Sequence, residues 1–273
     1  MKRKIILTLI LSLVIVQSYE VKAQFTTSEI AQRGEWEEFL KTAEIVDHKD
    51  IGEGVTKPIR LFLKMGDVEA SGAWKNPSGR MHGFLEGWQY EIAAYEMDKL
   101  LGLNMIPPTV EREFEGKKGS LQLWVELELS DLDRIEQKVN IPPSKIDNWN
   151  EKKYLTRAFD SLIANEDRTQ QNIRYTKDWR VILIDHSRSF RSSKKFTKQL
   201  MFGKNGIQGA KLIRYLPREF VEKVKALNFD VIKKAVGPYL KDKEIKSILL
   251  RKGLLLAEIE EMIKEKGEDK ILY

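Results

Sequence analysis

Cysteine is absent from the 273 residues. Disulfides, zinc–thiolate sites, thiol nucleophiles and a lipid-bearing cysteine are therefore excluded. Histidine is scarce: His48, His82 and His186 are scattered along the chain, which argues against a multi-histidine metal site. No Gly-x-Ser-x-Gly elbow accompanies them, so the serine-hydrolase nucleophile turn is missing. There is no internal repeat and no low-complexity tract. The apolar run over residues 5–16 has only twelve members, short of the ~20 a membrane-spanning helix needs.

What is present is the composition of a globular chain. Charged residues make up 32% and hydrophobic ones 42%, too polar for a multi-span membrane protein and too apolar for a disordered one. The length suits one or two domains around a core that needs no staples. Lys2, Arg3 and Lys4 precede the apolar run, and Val21-Lys22-Ala23 has a small-x-small pattern. Residues 1–23 thus read as a secretory signal peptide cut after Ala23, which makes the protein exported, periplasmic or secreted. The alternative is an uncleaved membrane anchor. The formal charge of +6 includes four basic side chains and one acid in residues 1–23, so about +3 remains beyond them. That weakens any electrostatic case for a nucleic-acid partner.

The local pattern changes along the chain. Ser28 is placed to cap a helix over 29–41, with Ile30, Trp36, Phe39 and Leu40 as its apolar residues. Segments 43–46, 59–63 and 68–75 are short β-favouring runs, separated by Gly52-Glu53-Gly54 and Met65-Gly66-Asp67. A helix follows over 88–101. Ala93, Met97, Leu100 and Leu101 share one face, Gly102 suits the position after its end, and Pro107-Pro108 prevents continuation. Strands are expected at 109–114 and 120–127. Beyond them the chain is mainly helical, at 131–139, 151–164, 218–228, 230–236 and 241–266. Short strands at 173–175 and 181–184 and a glycine- and lysine-rich loop at 191–211 interrupt it. A β-rich half followed by an α-rich half predicts an α+β architecture of two lobes.

The sharpest chemical signal is Asn165-Glu166-Asp167-Arg168-Thr169-Gln170-Gln171-Asn172, at the end of an amphipathic helix. Asp185 follows the apolar run Val181-Ile182-Leu183-Ile184, thirteen residues after Asn172. That spacing suits a hairpin returning Asp185 to the loop. Two carboxylates and an amide oxygen would then converge, the donor set of a hard cation such as Mg²⁺ that is completed by phosphate oxygens. A carboxylate there could also accept a hydroxyl proton. Taken singly, each of these residues is equally a helix cap or a turn former.

A helix, Asp-x-x-x-x-Asn, and a strand ending in Asp match the catalytic loop and metal aspartate of protein kinases. The second half resembles the atypical kinases of the phosphatidylinositol 4-kinase-like and secretory-pathway Golgi kinase group, which carry Asn-x-Asp-Arg in place of His-Arg-Asp. Here that motif is Asn165-Glu166-Asp167-Arg168. Their metal aspartate is often followed by Asn-Gly, where this chain has Asp185-His186-Ser187-Arg188-Ser189-Phe190. In the first half, Gly52-Glu53-Gly54-Val55-Thr56 resembles the turn that covers the nucleotide phosphates, although such a pair of glycines alone marks only a turn. Ala73-Trp74-Lys75 ends a strand like the phosphate-binding lysine, and a strand-end lysine is otherwise a solvated edge residue. Glu91-Ile92-Ala93-Ala94-Tyr95, Leu100-Leu101-Gly102-Leu103 and Ile106-Pro107-Pro108-Thr109 resemble the helix-C region of the lipid-kinase-like group. Glu91 pairs with Lys75 by that resemblance. Otherwise it is an exposed helix acid, with Glu96 as rival partner. Gln122-Leu123-Trp124-Val125-Glu126 falls at the hinge, whose backbone would bond adenine. Trp124 and Phe84 read as core residues rather than base platforms.

The resemblance implies a two-lobed protein-kinase-like fold, with the leader at 1–23, a β-rich N-lobe at 24–126 and a helical C-lobe at 127–273. It implies ATP and Mg²⁺, with Gly52, Gly54, Lys75 and Trp124 on the nucleotide side. Asn172 and Asp185 would hold the metal, Asp167 would be the base, and Glu91 would orient Lys75. The acceptor is left open among protein, lipid headgroup, sugar and small metabolite. A scaffold that binds nucleotide or has lost activity, and an enzyme transferring AMP, are the alternatives. His186 is expected to make a structural hydrogen bond, with titration or phosphate binding as the rival role. Lys194, Lys195, Lys198, Lys204 and Lys211 form either a solvated loop or a receiver of acidic substrate.

Overall fold

The computed structural model describes residues 25–52, 57–81, 83–209 and 213–273. The leader at 1–23, Gly54 and its neighbours at 53–56, His82 and Lys211 lie outside the described residues. The first helical stretch is two helices, α1 (Thr27–Ala31) and α2 (Arg33–Thr42), rather than one. The cap is Thr26, not Ser28: Thr26 and Glu29 form a reciprocal capping box two residues earlier than expected. Helix α2 presents Phe39 and Leu40 to a sheet.

That sheet contains β1 (Glu44–Asp50), β2 (Ile59–Met65) and β3 (Val68–Lys75). Between β3 and the next helix lies a hairpin that the sequence pattern did not announce, β4 (Ser78–Met81) and β5 (Phe84–Gly87). Helix α3 (Trp88–Leu101) follows, then β6 (Thr109–Phe114) and β7 (Lys117–Leu123). The five-stranded antiparallel order is β1-β2-β3-β7-β6. Leu61, Leu63, Trp74, Val110, Phe114 and Leu121 form its apolar face under α2. Arg112 reaches from β6 to the last carbonyls of α2, donating to the Leu40, Lys41 and Ala43 oxygens. A guanidinium at a helix C-terminus satisfies carbonyls that have no intrahelical partner.

Gly102 ends α3 with φ 70°, as a residue after a helix end should. Asp98, on the last turn, accepts the backbone N–H of Met105 at 2.9 Å and so fixes the loop after the helix. Helix α3 has a buried face toward each lobe: Tyr95 and Ala93 join the large helical core, and its flank lies against β6 and β7.

The second half opens with β8 (Leu129–Ser130), α4 (Asp131–Glu136) and α5 (Ile146–Ile163). Strands β9 (Ile173–Tyr175) and β10 (Val181–Leu183) pair antiparallel, and with β8 they make a three-stranded sheet. The chain continues through α6 (Lys194–Lys198), α7 (Arg218–Ala226), α8 (Phe229–Val236) and α9 (Asp242–Lys266). Leu155, Phe159 and Leu162 of α5 pack against Ile248, Leu255 and Ile259 of α9 in one core. Arg251 of α9 is fully buried, donating to the Leu162 and Arg191 carbonyls at 2.8 and 2.7 Å. Burial lowers its guanidinium to about 9. The result is an α+β fold with a sheet-built lobe and a helix-built lobe. Among the described residues no helix is long and apolar enough to cross a membrane.

Candidate active site

Three elements converge on one ammonium. Lys75 is the last residue of β3, and its Nζ lies 3.1 Å from Glu91 Oε1 on α3 and 3.2 Å from Asp185 Oδ1 after β10. Burial works to lower the Lys75 pKa, but the charges of Asp185 and Glu91 outweigh it and raise the pKa above the ordinary lysine range. Glu91 is the mirror case. Its 2% exposure would raise it, yet Lys75 and the His186 amide hold it far below a usual carboxylate. Glu96 pairs instead with Lys99, at 2.9 Å.

Asp185 reaches the cluster because β9 and β10 form a hairpin. The Ile184 N–H donates to the Asn172 carbonyl at 3.2 Å, which draws the end of β10 onto the loop before β9. Asp185 itself has φ 59°, a left-handed conformation uncommon outside glycine and least costly for Asn and Asp. Asn172 donates its side-chain N–H to the Asp167 carbonyl at 2.8 Å, a bond that leaves its amide oxygen uncommitted. Asp167 donates its backbone N–H to Asn165 Oδ1 at 3.1 Å. Its carboxylate lies 3.3 Å from Arg188. Burial pushes the Asp167 carboxyl up and Asp185 adds to that, against the pull of Arg188.

No protein-family model and no curated sequence matches the chain. Among solved structures, hydra Fam20 with sugar aligns at a TM-score of 0.67 and 17% identity, covering 93% of this chain and 95% of that one. The Golgi casein kinase with Mn/ADP bound aligns at 0.63 and 13%, covering 89% and 79%. The Helicobacter pylori proinflammatory kinase CtkA aligns at 0.53 and 11%, covering 84% and 96%. The chain has the fold of the Golgi-type atypical kinases.

Within this kinase-like fold, the Asn165–Asn172 segment is held from behind. Arg168 is turned inward, with its side chain 3% exposed. Its Nε and Nη2 donate to Asp160 at 2.9 and 3.1 Å, and its Nη1 donates to the Asn172 and Ile184 carbonyls, both at 2.9 Å. One side chain thereby ties α5, the loop and the end of β10. Nη2 also lies 2.7 Å from His186 Nε2. Arginine can only donate, so Nε2 accepts and the ring proton sits on Nδ1. Burial and Arg168 lower the His186 pKa, which keeps it neutral. The imidazole is fully buried and makes a structural hydrogen bond with Arg168.

Two aromatic expectations are corrected. Trp124 and Phe84 are not core residues: they are 38% and 45% exposed. Trp124 stands where the chain leaves β7, and Phe84 opens β5 at the hairpin turn, so neither has a facing layer. Each is covered by an arginine instead, Arg60 at 4.3 Å over Trp124 and Arg188 at 4.4 Å over Phe84. At the hinge, the Leu123 and Trp124 amides are already bonded to the Pro108 and Ser71 carbonyls, each at 2.8 Å. Gly52, φ 77°, lies between β1 and β2. Among the described residues no hydrogen bond or ion pair links Gly52 or Trp124 to Lys75, Glu91 or Asp185.

One buried acid was not anticipated. Glu86 of β5 is 2% exposed and accepts from Arg188 Nε and Nη2 at 2.9 and 2.7 Å. The Ser187 hydroxyl donates to its other oxygen at 3.3 Å. Nothing local marked Glu86, because the hairpin that buries it is too short for a periodic pattern.

The oxygen donors here suit a hard cation. Asp167 and Asp185 keep 26% and 28% side-chain exposure despite their partners, and Asn172 turns its amide oxygen away from the Asp167 carbonyl that it bonds. Among the described residues no group of three His, Cys, Asp or Glu side chains is placed to hold a metal by itself. Asp185 and Asn172 alone would need substrate oxygens or water to complete a shell, as Mg²⁺ sites commonly do. A cavity of about 240 Å³ lies elsewhere, with Asp160 and Arg168 in its wall. Lys75, Glu91 and Asp185 do not line that cavity, so the chemistry of these groups locates the candidate site and cavity size does not.

Proposed function

We propose that this protein is an exported phosphotransferase that moves the γ-phosphoryl group of ATP to a hydroxyl acceptor, with a divalent cation such as Mg²⁺. The observation that carries the reading is Lys75 within 3.2 Å of both Glu91 and Asp185. A largely covered lysine flanked by two acids is pinned in place, and a pinned ammonium is what phosphate oxygens can meet. Asn172 and Asp185 would hold the cation, which supplies neutralisation of phosphate charge. Lys75 would meet the donor phosphates, with Glu91 setting its direction. Adenine would find its backbone donors at Val125 or Glu126, since the two preceding amides are engaged.

Asp167 takes the acceptor proton. In the transfer, the acceptor oxygen forms its bond to phosphorus as the bond to the β,γ-bridging oxygen breaks. The hydroxyl proton passes to Asp167 and ADP departs. Burial of Asp167 favours its protonated form, the direction that eases proton uptake. Little covalent work falls to the protein, because the transition state needs positioning and charge compensation.

Export rests on the basic start, apolar run and Ala23 of the first 23 residues. The related structures suggest where to look for an acceptor: one is described with sugar, another as a casein kinase. We therefore place sugar and protein hydroxyls ahead of lipid headgroups. The deciding experiment incubates the purified protein with ATP labelled at the α- or the γ-phosphate, with an extract of its own cells as acceptor pool. Transfer of γ-label alone supports the reading. Transfer of α-label makes it an AMP transferase. Absence of both, together with no thermal shift at millimolar Mg-ATP, makes it a scaffold.

A further inference from the structure

The basic residue of the loop, Arg168, cannot serve the reaction. Every nitrogen of its guanidinium is committed to Asp160, His186 or a backbone carbonyl, away from the cleft. Yet a phosphoryl group in flight spreads negative charge over three oxygens and gains from a cation close to the base. Among the described residues, the cation that meets Asp167 is Arg188.

Its placement is unusually determined. Nε and Nη2 both donate to Glu86 Oε1, at 2.9 and 2.7 Å, while Nη1 lies 3.3 Å from Asp167 Oδ2. The guanidinium also lies over the Phe84 ring at 4.4 Å. One edge of the fork is thus held by a buried carboxylate, and the other is presented to the cleft. The hairpin β4–β5 supplies both Glu86 and Phe84. Its own attachment runs through the Gly87 N–H, which donates to the Ser187 carbonyl at 3.0 Å, and through Arg191, which donates to the Leu85 carbonyl.

We propose, resting on the phosphotransferase reading, that Arg188 donates Nη1–H to the transferring phosphoryl group, and that Glu86 is its positioning residue. A donor fixed before the reaction has no reorganisation left to do as charge develops, and a planar fork is held more firmly than an ammonium on a flexible stem. Arg188 forms no covalent bond and moves no proton. The proton still goes to Asp167 and the leaving group is still ADP. In the unliganded protein the same Nη1 neutralises Asp167.

The test uses the full chain and two probes, Mg-ADP and Mg-ADP with aluminium fluoride as a mimic of the planar phosphoryl group. Wild type is expected to bind the second at least about tenfold more tightly, 1.4 kcal/mol. Arg188→Met should bind Mg-ADP within about twofold of wild type and lose most of the extra affinity, with turnover of ATP down about a hundredfold or more. Arg188→Lys should restore only part of both, and Glu86→Gln should behave like a weaker Arg188→Met. If Arg188→Met does not fold, Glu86→Gln and Arg188→Lys carry the same reading. A tenfold gain retained in the variants, or missing in wild type that still binds Mg-ADP, overturns the role of Arg188 alone. Wild type that binds neither probe overturns the phosphotransferase reading as well.

Discussion

Glu91 accepts the backbone N–H of His186 with one carboxylate oxygen, at 2.9 Å, and meets Lys75 with the other, at 3.1 Å. A single side chain on α3 therefore fixes both the lysine at the end of β3 and the segment that follows Asp185. Displacing α3 cannot disturb one without the other. The two lobes are coupled at this point by charge rather than by apolar contact.

Removing that charge should be costly. Glu91→Ala leaves the Lys75 ammonium with Asp185 alone and strips the His186 amide of its acceptor. Breaking a buried pair of this kind costs about 3–5 kcal/mol. Glu91→Gln keeps an oxygen for His186 and should cost less, while still weakening nucleotide binding. Denaturant titration at neutral pH reads both. A change under about 1 kcal/mol for Glu91→Ala would show that the pair holds nothing together.

Asp98 gives the stability a pH dependence. Burial pushes its carboxyl up to about 7, with the Met105 amide and neighbouring loop amides pulling the other way. The folded protein then keeps the Asp98 proton up to about pH 7, whereas the unfolded chain releases it near about pH 4. Between those values the folded state binds more protons. Stability contributed by this group is full below about pH 4 and is lost as pH rises to about 7, at up to about 1.4 kcal/mol per pH unit. Asp98→Asn should remove that slope. Unfolding free energies of parent and variant from pH 4 to 8 give the difference, in which all other titrations cancel. Parallel curves would mean that Asp98 is ionised in the folded state.

Arg168 and Asp160 form the anchor behind the loop, and their pair is almost wholly buried. Arg168→Met should destabilise by about 3–5 kcal/mol, since it leaves Asp160 charged and unpaired. Asp160→Asn with Arg168→Met should recover part of that loss by removing the stranded charge. A double-mutant cycle in thermal unfolding measures the coupling. Additive losses would mean that the two act separately.

Glycines separate tight places from open ones. A Cβ at Gly119 would lie 2.5 Å from the Lys75 carbonyl and 2.7 Å from the Trp74 ring, so β7 and β3 must part to admit it. Gly119→Ala should cost about 1–3 kcal/mol and move Lys75 at the end of β3, raising the KM for ATP. In Gly253, within α9, nothing lies within 4 Å of a built Cβ. Gly253→Ala should stabilise by about 1 kcal/mol through helix propensity alone. Melting temperatures and ATP saturation curves separate the two outcomes, and an unchanged KM in Gly119→Ala would uncouple that strand contact from the nucleotide.

Much of this architecture can be read from punctuation. Gly66, Gly102 and Pro107-Pro108 bracket β3, α3 and β6, whose limits match the periodic runs between them. The helical half was readable because apolar stripes such as Leu155, Phe159 and Leu162 recur at helical spacing. The hairpin β4–β5 was not readable. Its four-residue strands alternate nothing, and it is ordered by distant partners, Ser187, Arg188 and Arg191. Lys75, Glu91 and Asp185 stand out in sequence because each ends or begins a patterned element. Glu86, Asp160 and the inward turn of Arg168 depend on partners up to about a hundred residues away, which no local pattern can report. Trp124 and Phe84 failed for the opposite reason: a large aromatic ring predicts burial, but an arginine face can cover it at the surface.

Asp167 separates chemistry from binding. Its carboxylate touches Arg188 and no part of the Lys75 cluster, so Asp167→Asn should leave Mg-ATP binding within about twofold of wild type. The amide cannot take the acceptor proton, and general-base catalysis is commonly worth about 10²–10⁴ in rate. Phosphate transfer should fall by that factor with the thermal shift on Mg-ATP intact. The variant also removes the negative charge that faces Arg188, while Glu86 keeps the fork in place. Stability should therefore change by no more than about 1 kcal/mol, as for a half-exposed ion pair. Full activity in Asp167→Asn would remove it as the base. Lost nucleotide binding would move it to the nucleotide site itself.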